Sequence, residues 1–235
     1  MIPEGDSRTA RLLGTEAITR LATAKVAVYG LGGVGSYAVE ALVRSGIGKL
    51  TLVDMDIVAP SDLNRQLQAL VSTIGLNKAD VLAKRATDIN PSCLAEPRVV
   101  RYLPGDPENT LLPRPDAVVD AMDTVNAKLD LIERCIKTGI PIISSMGTGN
   151  KLDPTAFRLG DISETAVCPL ARVMRRELKK RGILHLPVVW SEEPPVRSSD
   201  AFPEHGRILP GSVSFVPGAA GLALASWVVK TLLQI

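Results

Sequence analysis

Aromatic residues make up only 3% of the 235-residue chain. Its interior must therefore be built from Val, Leu, Ile and Ala, the residues that fill parallel strands covered on both faces. Cysteine is scarce as well. Cys93, Cys135 and Cys168 are far apart and odd in number, and no CxxC pair exists. That excludes a disulfide framework and a structural zinc site of paired thiolates, and it points to a reducing cytoplasm. Neither sign of charge dominates: 27 basic residues face 25 acidic ones, a net of +2, so any nucleic-acid-binding surface has to be local. The opening MIPEGDSRTARLLG has no apolar signal core, and export is not expected. One long apolar run exists, SVSFVPGAAGLALASWVVKTLLQI, interrupted by Pro217, two glycines and Lys230. A membrane span takes about 20 apolar residues, and this run reads instead as a buried or dimer-packing helix.

Strand and helix patterns alternate through the first 150 residues. The spacing of Leu12, Leu13, Ala17, Ile18 and Leu21 predicts a helix over 7–23, and apolar runs predict strands at 25–30, 49–56, 115–123 and 141–147. An edge strand is expected within 94–103, and helices at 35–46, 77–90 and 125–139. Such alternation implies an α/β fold with a Rossmann-like, doubly wound, mostly parallel sheet and helices on both faces. Beyond Thr148 come a strand within 153–163, a basic helix over 168–182, a strand over 186–193, a Pro- and Gly-rich loop over 194–212 and the apolar helix. A single domain over 1–235 is expected, with a nucleotide-binding core (1–150) and a substrate-side extension (151–235).

Chemistry concentrates in VAVYGLGGVGSYAVEALVRSGIGKLTLVDMD, residues 26–56. Gly30, Gly32, Gly33 and Gly35 join a strand to a helix, where bare backbone can approach a phosphate at the helix N-terminus. Asp54 ends the next strand, where an acid can accept from ribose hydroxyls. These features leave NAD, FAD and ATP all open. The block after Asp54 discriminates. Arg65 and Lys78 place two cations behind the ribose acid, as needed to neutralise a triphosphate while a carboxylate attacks its α-phosphorus. Asp123, at the carboxyl end of a strand, suits Mg²⁺, which binds one or two carboxylates plus phosphate oxygens; it could also cap the following helix. Asp120, three residues earlier, reads as structural.

GLGGVGSYAVEALVRSGIGKLTLVDMDIVAPSDLNRQ, IGLNKAD and DAMD together resemble the ThiF/MoeB/HesA-type superfamily of ubiquitin-activating-like adenylyltransferases. The resemblance implies that the glycine loop and Asp54 hold ATP, that Arg65 and Lys78 contact its phosphates, and that Asp123 serves the metal. It adds Ser61 and Asn64 to the nucleotide pocket. It also implies an arginine, at Arg11, delivered from an N-terminal helix across a homodimer interface. Asp62 stands where that superfamily commonly has Asn. Residues 144–183 and VVWSEEPP resemble the branch that dehydrates threonylcarbamoyladenosine in tRNA, with Cys168 in place of a usual Asp. The implied substrate is that modified tRNA; a sulfur-transfer partner protein is possible in some relatives, and activation of a sulfur-carrier protein is the alternative function. Arg172, Arg175, Arg176, Lys179 and Lys180 on the basic helix are then candidate tRNA contacts. Cys135 reads as a core thiol, Cys93 as partly exposed, and Cys168 as the one cysteine to test for chemistry.

Overall fold

Two-residue periodicity along the strands decides the layering. Val26 and Val28 enter one core while Ala27 and Tyr29 enter another; Ala117 and Val119 divide from Val118, and Val189 from Val188 and Trp190, in the same way. One sheet thus carries an apolar layer on each face. The computed structural model describes residues 4–106, 111, 113–196, 203–204, 207–208 and 210–235.

The seven strands are β1 (Lys25–Tyr29), β2 (Lys49–Val53), β3 (Leu94–Arg98), β4 (Ala117–Asp120), β5 (Ile142–Ser145), β6 (Phe157–Asp161) and β7 (Pro187–Ser191), in the order β3-β2-β1-β4-β5-β7-β6. All pairings are parallel except β6 with β7, where Leu159 faces Val189. The sheet is therefore the expected doubly wound one, and it continues from the core into residues beyond 150. Helices α3 (Gly35–Arg44), α4 (Lys78–Ile89) and α7 (Phe215–Leu233) cover one face; α5 (Val125–Thr138) and α6 (Pro169–Lys180) cover the other.

The helix expected over 7–23 is two helices, α1 (Ser7–Leu13) and α2 (Thr15–Thr23). Gly14 separates them at φ 89, a left-handed conformation that interrupts the helical path and that glycine adopts without steric cost. The strand expected within 94–103 ends at Arg98. Pro97 has no N–H to donate, and residues 100–104, beyond the strand end, wall the cavity described below. Residues 197–202, 205–206 and 209 of the 194–212 loop lie outside the described residues, and the described part includes a short antiparallel ladder of Pro203–Glu204 with Arg207–Ile208.

Helix α7 is long and apolar enough to cross a membrane, 19 residues at a mean hydropathy of 1.5. It nevertheless packs over α3 and the sheet, with Val216, Ala220, Leu224 and Val228 fully buried. Val216, Leu224 and Val228 each contribute ~1.5–3 kcal/mol by leaving water. Pro217 is tolerated because it sits in the first turn, where a missing N–H costs no hydrogen bond.

Candidate active site

The strand order reverses direction between β1 and β4, and in doubly wound sheets ligands bind outside the strand ends at that point. A cavity of about 1120 Å³ opens there. The glycine loop leaves β1 on one side of it, and Ala121–Asp123 leave β4 on the other. The two are pressed together: Gly30, at φ 85, has no room for a side chain, because a Cβ would lie 2.7 Å from the Ala121 carbonyl. A Cβ on Gly35 would overlap the Gly30 carbonyl oxygen. Gly32 is different, with nothing nearer than 3.9 Å to an added Cβ. Its backbone faces open cavity at the start of α3, as anion binding at a helix N-terminus requires. Gly35 is accordingly a packing glycine and not a cavity residue.

Asp54 lines the cavity from the end of β2. One oxygen accepts from the Leu31 amide at 2.6 Å and the other from the Asp56 amide at 2.8 Å. Burial pushes its carboxyl above the usual range, with those two amides pulling the other way. Its position ties the glycine loop to β2 and leaves lone pairs for hydroxyl donors.

The two predicted cations converge on the same cavity. Lys78 opens α4 with its side chain only 7% exposed, its ammonium 3.0 Å from Asp56 and 3.7 Å from Asp62. Arg65 donates to the Ser61 carbonyl at 2.8 Å and the Asn64 side chain at 2.9 Å, and lies 3.7 Å from Asp62. Ser61 lines the cavity. Asn64 does not; it bridges Arg65 to the Ser212 carbonyl and so steers the guanidinium. Asp123 is exposed to the cavity and accepts only from the Thr124 hydroxyl, at 3.1 Å, among the described hydrogen bonds. It does not cap α5, so its carboxylate is available to a ligand. No group of three metal-binding side chains exists among the described residues. One carboxylate exposed to the cavity fits Mg²⁺, whose other ligands would be phosphate oxygens and water.

Sequence reasoning read Asp120 as structural, as it is, but missed its partner Lys128, and the pair sets the floor of the cavity. Asp120 and Lys128 are both fully buried and 2.9 Å apart. Asp120 also accepts from the Ser144 hydroxyl at 2.6 Å and the Met122 amide at 3.2 Å, while Lys128 donates to the Met122 carbonyl at 3.0 Å. The pair therefore clamps the backbone just before Asp123. A signal was present: Lys128 falls in phase with Leu131, Ile132 and Cys135 on the buried stripe of α5. Asp56 and Asp62, the partners of the two cations, were missed too.

Other predicted residues lie elsewhere. Arg11 is exposed on α1 and does not line the cavity. On α6, Arg172, Arg176, Lys179 and Lys180 face solvent, but Arg175 turns inward and donates to the Thr165 carbonyl and hydroxyl at 2.6 and 2.5 Å. It is a clamp on the turn before α6 and is withdrawn from the solvent-facing set. Leu170, in the first turn of α6, lines the cavity, so the basic helix runs outward from its rim. All three cysteines are buried, Cys93 included, because it packs under β3 and α4 instead of the surface. Burial raises the Cys93 and Cys135 thiols to about 11 and 12, keeping both protonated. Cys168 precedes α6 at 2% exposure, its sulfur packed toward Gly147.

Comparison with known proteins agrees with this geometry. Residues 6–235 match the ThiF family. The tRNA threonylcarbamoyladenosine dehydratase of Bacillus subtilis (strain 168) is 41% identical over 239 residues, covering 97% of this chain and 94% of the relative. Among solved structures, E. coli TcdA, a dehydratase of the same kind, in complex with AMP superposes with a TM-score of 0.89 at 34% identity, covering 97% of this chain and 93% of that one. Its complex with ATP gives a TM-score of 0.86 over the same shares.

Proposed function

The chain belongs to the ThiF family, and from that premise we propose that it dehydrates threonylcarbamoyladenosine in tRNA by ATP-dependent carboxylate adenylation. One observation carries the reading: Arg65, Lys78 and Asp123 share a single cavity with the open backbone of Gly32 and with Asp54. Hydride transfer needs no such pair of cations beside the ribose acid.

In this mechanism Asp54 accepts from ribose hydroxyls and the start of α3 faces the phosphates. A carboxylate oxygen of the threonylcarbamoyl group attacks the α-phosphorus, and pyrophosphate leaves with the bond's electron pair. Arg65 and Lys78 neutralise the charge that develops on it, as preorganised donors do most effectively in a restricted site. A carbamoyl heteroatom of the same group then attacks the activated carbonyl carbon, AMP leaves, and the ring closes with net loss of water. Because that nucleophile is tethered, its effective concentration is high and no protein nucleophile is required. Buried Cys135 and Cys93, held protonated, agree with that. Asp123 would hold Mg²⁺, which supplies further neutralisation of the phosphates.

Three finer points belong to the same proposal. The enzyme is a homodimer: Arg11, exposed and outside this chain's cavity lining, serves a nucleotide held by a second copy, and Leu70, Val71 and Leu76 are exposed apolar side chains, Val71 at 82%. Arg172, Arg176, Lys179 and Lys180 grip tRNA phosphates near the rim. A cytoplasmic location is supported by three unpaired cysteines.

The test is incubation with ATP, Mg²⁺ and tRNA carrying or lacking the threonylcarbamoyl group, followed by nucleoside mass spectrometry. The expected product is lighter by one water and appears only with the modified tRNA and ATP. Pyrophosphate exchange that depends instead on a sulfur-carrier protein would overturn the choice of substrate.

A further inference from the structure

Asp62 lies between the two cations, on a single turn of helix at Pro60–Asp62, and is 6% exposed. Each of its oxygens makes one short bond within the chain and one long contact to a cation. Oδ1 accepts from the Gln66 amide at 2.6 Å and sits 3.7 Å from Arg65; Oδ2 accepts from the Ala59 amide at 3.0 Å and sits 3.7 Å from Lys78. At 3.7 Å the cations are attracted but do not donate. The protons they turn toward Asp62 stay available to phosphate oxygens.

The carboxylate cannot swing aside when a ligand arrives. Gln66 accepts from Gln68 at 3.1 Å, and Gln68 donates to the Leu31 carbonyl at 2.7 Å, so a buried chain of amides fastens Asp62 to the glycine loop. Nor is its charge diluted by water. Asp56, the other acid on Lys78, is 58% exposed and screened; the side chain of Asp62 is 8% exposed.

We propose that Asp62 is a positioning residue that opposes its own ligand: it converges Arg65 and Lys78 in the free enzyme and weakens their hold on polyphosphate, so that pyrophosphate departs after adenylation. The proposal rests on the adenylation reading above. A fixed negative charge within a few ångströms of the phosphate site repels it by an amount that the nearly isosteric Asn would remove.

The test is calorimetric titration of wild type and Asp62→Asn with inorganic pyrophosphate plus Mg²⁺, and separately with adenosine. Asp62→Asn is expected to bind pyrophosphate about tenfold more tightly, with adenosine affinity unchanged. A merely structural role cannot give this result, because damage to the site weakens binding. Equal or weaker pyrophosphate binding by a folded Asp62→Asn protein overturns the proposal. If that variant does not fold, Asp62→Ser, which keeps an acceptor for the Ala59 amide, carries the same expectation; loss of the fold in both marks Asp62 as structural and overturns it. Wild type that binds neither adenosine nor pyrophosphate overturns the adenylation reading instead.

Discussion

Beneath the cavity and along its wall, acids meet lysines in opposite ways. Asp120 and Lys128 are sealed from water at 2.9 Å, and each bonds further within the chain, Asp120 to the Ser144 hydroxyl and the Met122 amide and Lys128 to the Met122 carbonyl. Lys78 has a screened partner at 3.0 Å and a buried one held at 3.7 Å. The first arrangement satisfies both charges inside the protein. The second leaves an ammonium attracted but under-used, which is the state a ligand-binding cation must have. A third arrangement lies on α6, where Lys180, Arg176 and Arg181 surround Glu177 and hold its carboxyl down to about 2, with Lys180 the largest contributor. There the charges are wet, and they shape a surface more than they stabilise it. The same residue types thus sit in the floor, the cavity wall or the solvated surface with different amounts of their bonding already used by the fold.

Substitutions at the three places should separate these roles. Lys128→Met strands Asp120 as a buried, uncompensated charge, and a loss of about 3–5 kcal/mol in urea denaturation is expected. A loss under 1 kcal/mol, by ~threefold less than the low end of that range, would mean that Asp120 is not ionised there. Lys78→Met should do the reverse. Stability stays within about 1 kcal/mol of wild type, whereas ATP–pyrophosphate exchange falls by about 10²–10³-fold, the usual cost of removing one preorganised donor. Full exchange activity in that variant would remove Lys78 from the catalytic set. Reversing Arg172, Arg176, Lys179 and Lys180 to Glu should leave stability and nucleotide binding nearly untouched. It should weaken tRNA binding about tenfold or more and flatten its salt dependence. Unchanged tRNA affinity in a filter-binding assay would return α6 to an ordinary solvated face. Arg175 is kept in that variant, since its loss would release the Thr165 turn.

The glycine loop, Asp54, Arg65, Lys78 and Asp123 were legible because each carries a local signal: glycine where the backbone must come close, an acid at a strand's carboxyl end, cations at short spacing behind it. Their meeting in one cavity follows from alternating strands and helices, which place the carboxyl ends of the six parallel strands on the same rim. The break at Gly14 was less legible, since apolar spacing of 3.6 residues continues across it and only the positive φ interrupts the path. The same blindness applied to Cys93, whose burial depends on what β3 and α4 lay over it, and to Arg175, whose neighbours on α6 look identical in sequence.

Composition and order alone therefore determined the fold class, the cavity-facing glycine loop and the identity of the charged residues, because these depend on local propensity and periodicity. Only the tertiary structure decided which charges were already satisfied. Lys128 and Lys78 are both buried lysines on helices packed against opposite faces of one sheet, and no pattern within either helix distinguishes them. What separates them is the distance and dryness of an acid brought close by the folding of another segment: Asp120 from a neighbouring strand at hydrogen-bonding range, Asp62 from a loop turn held a little too far away.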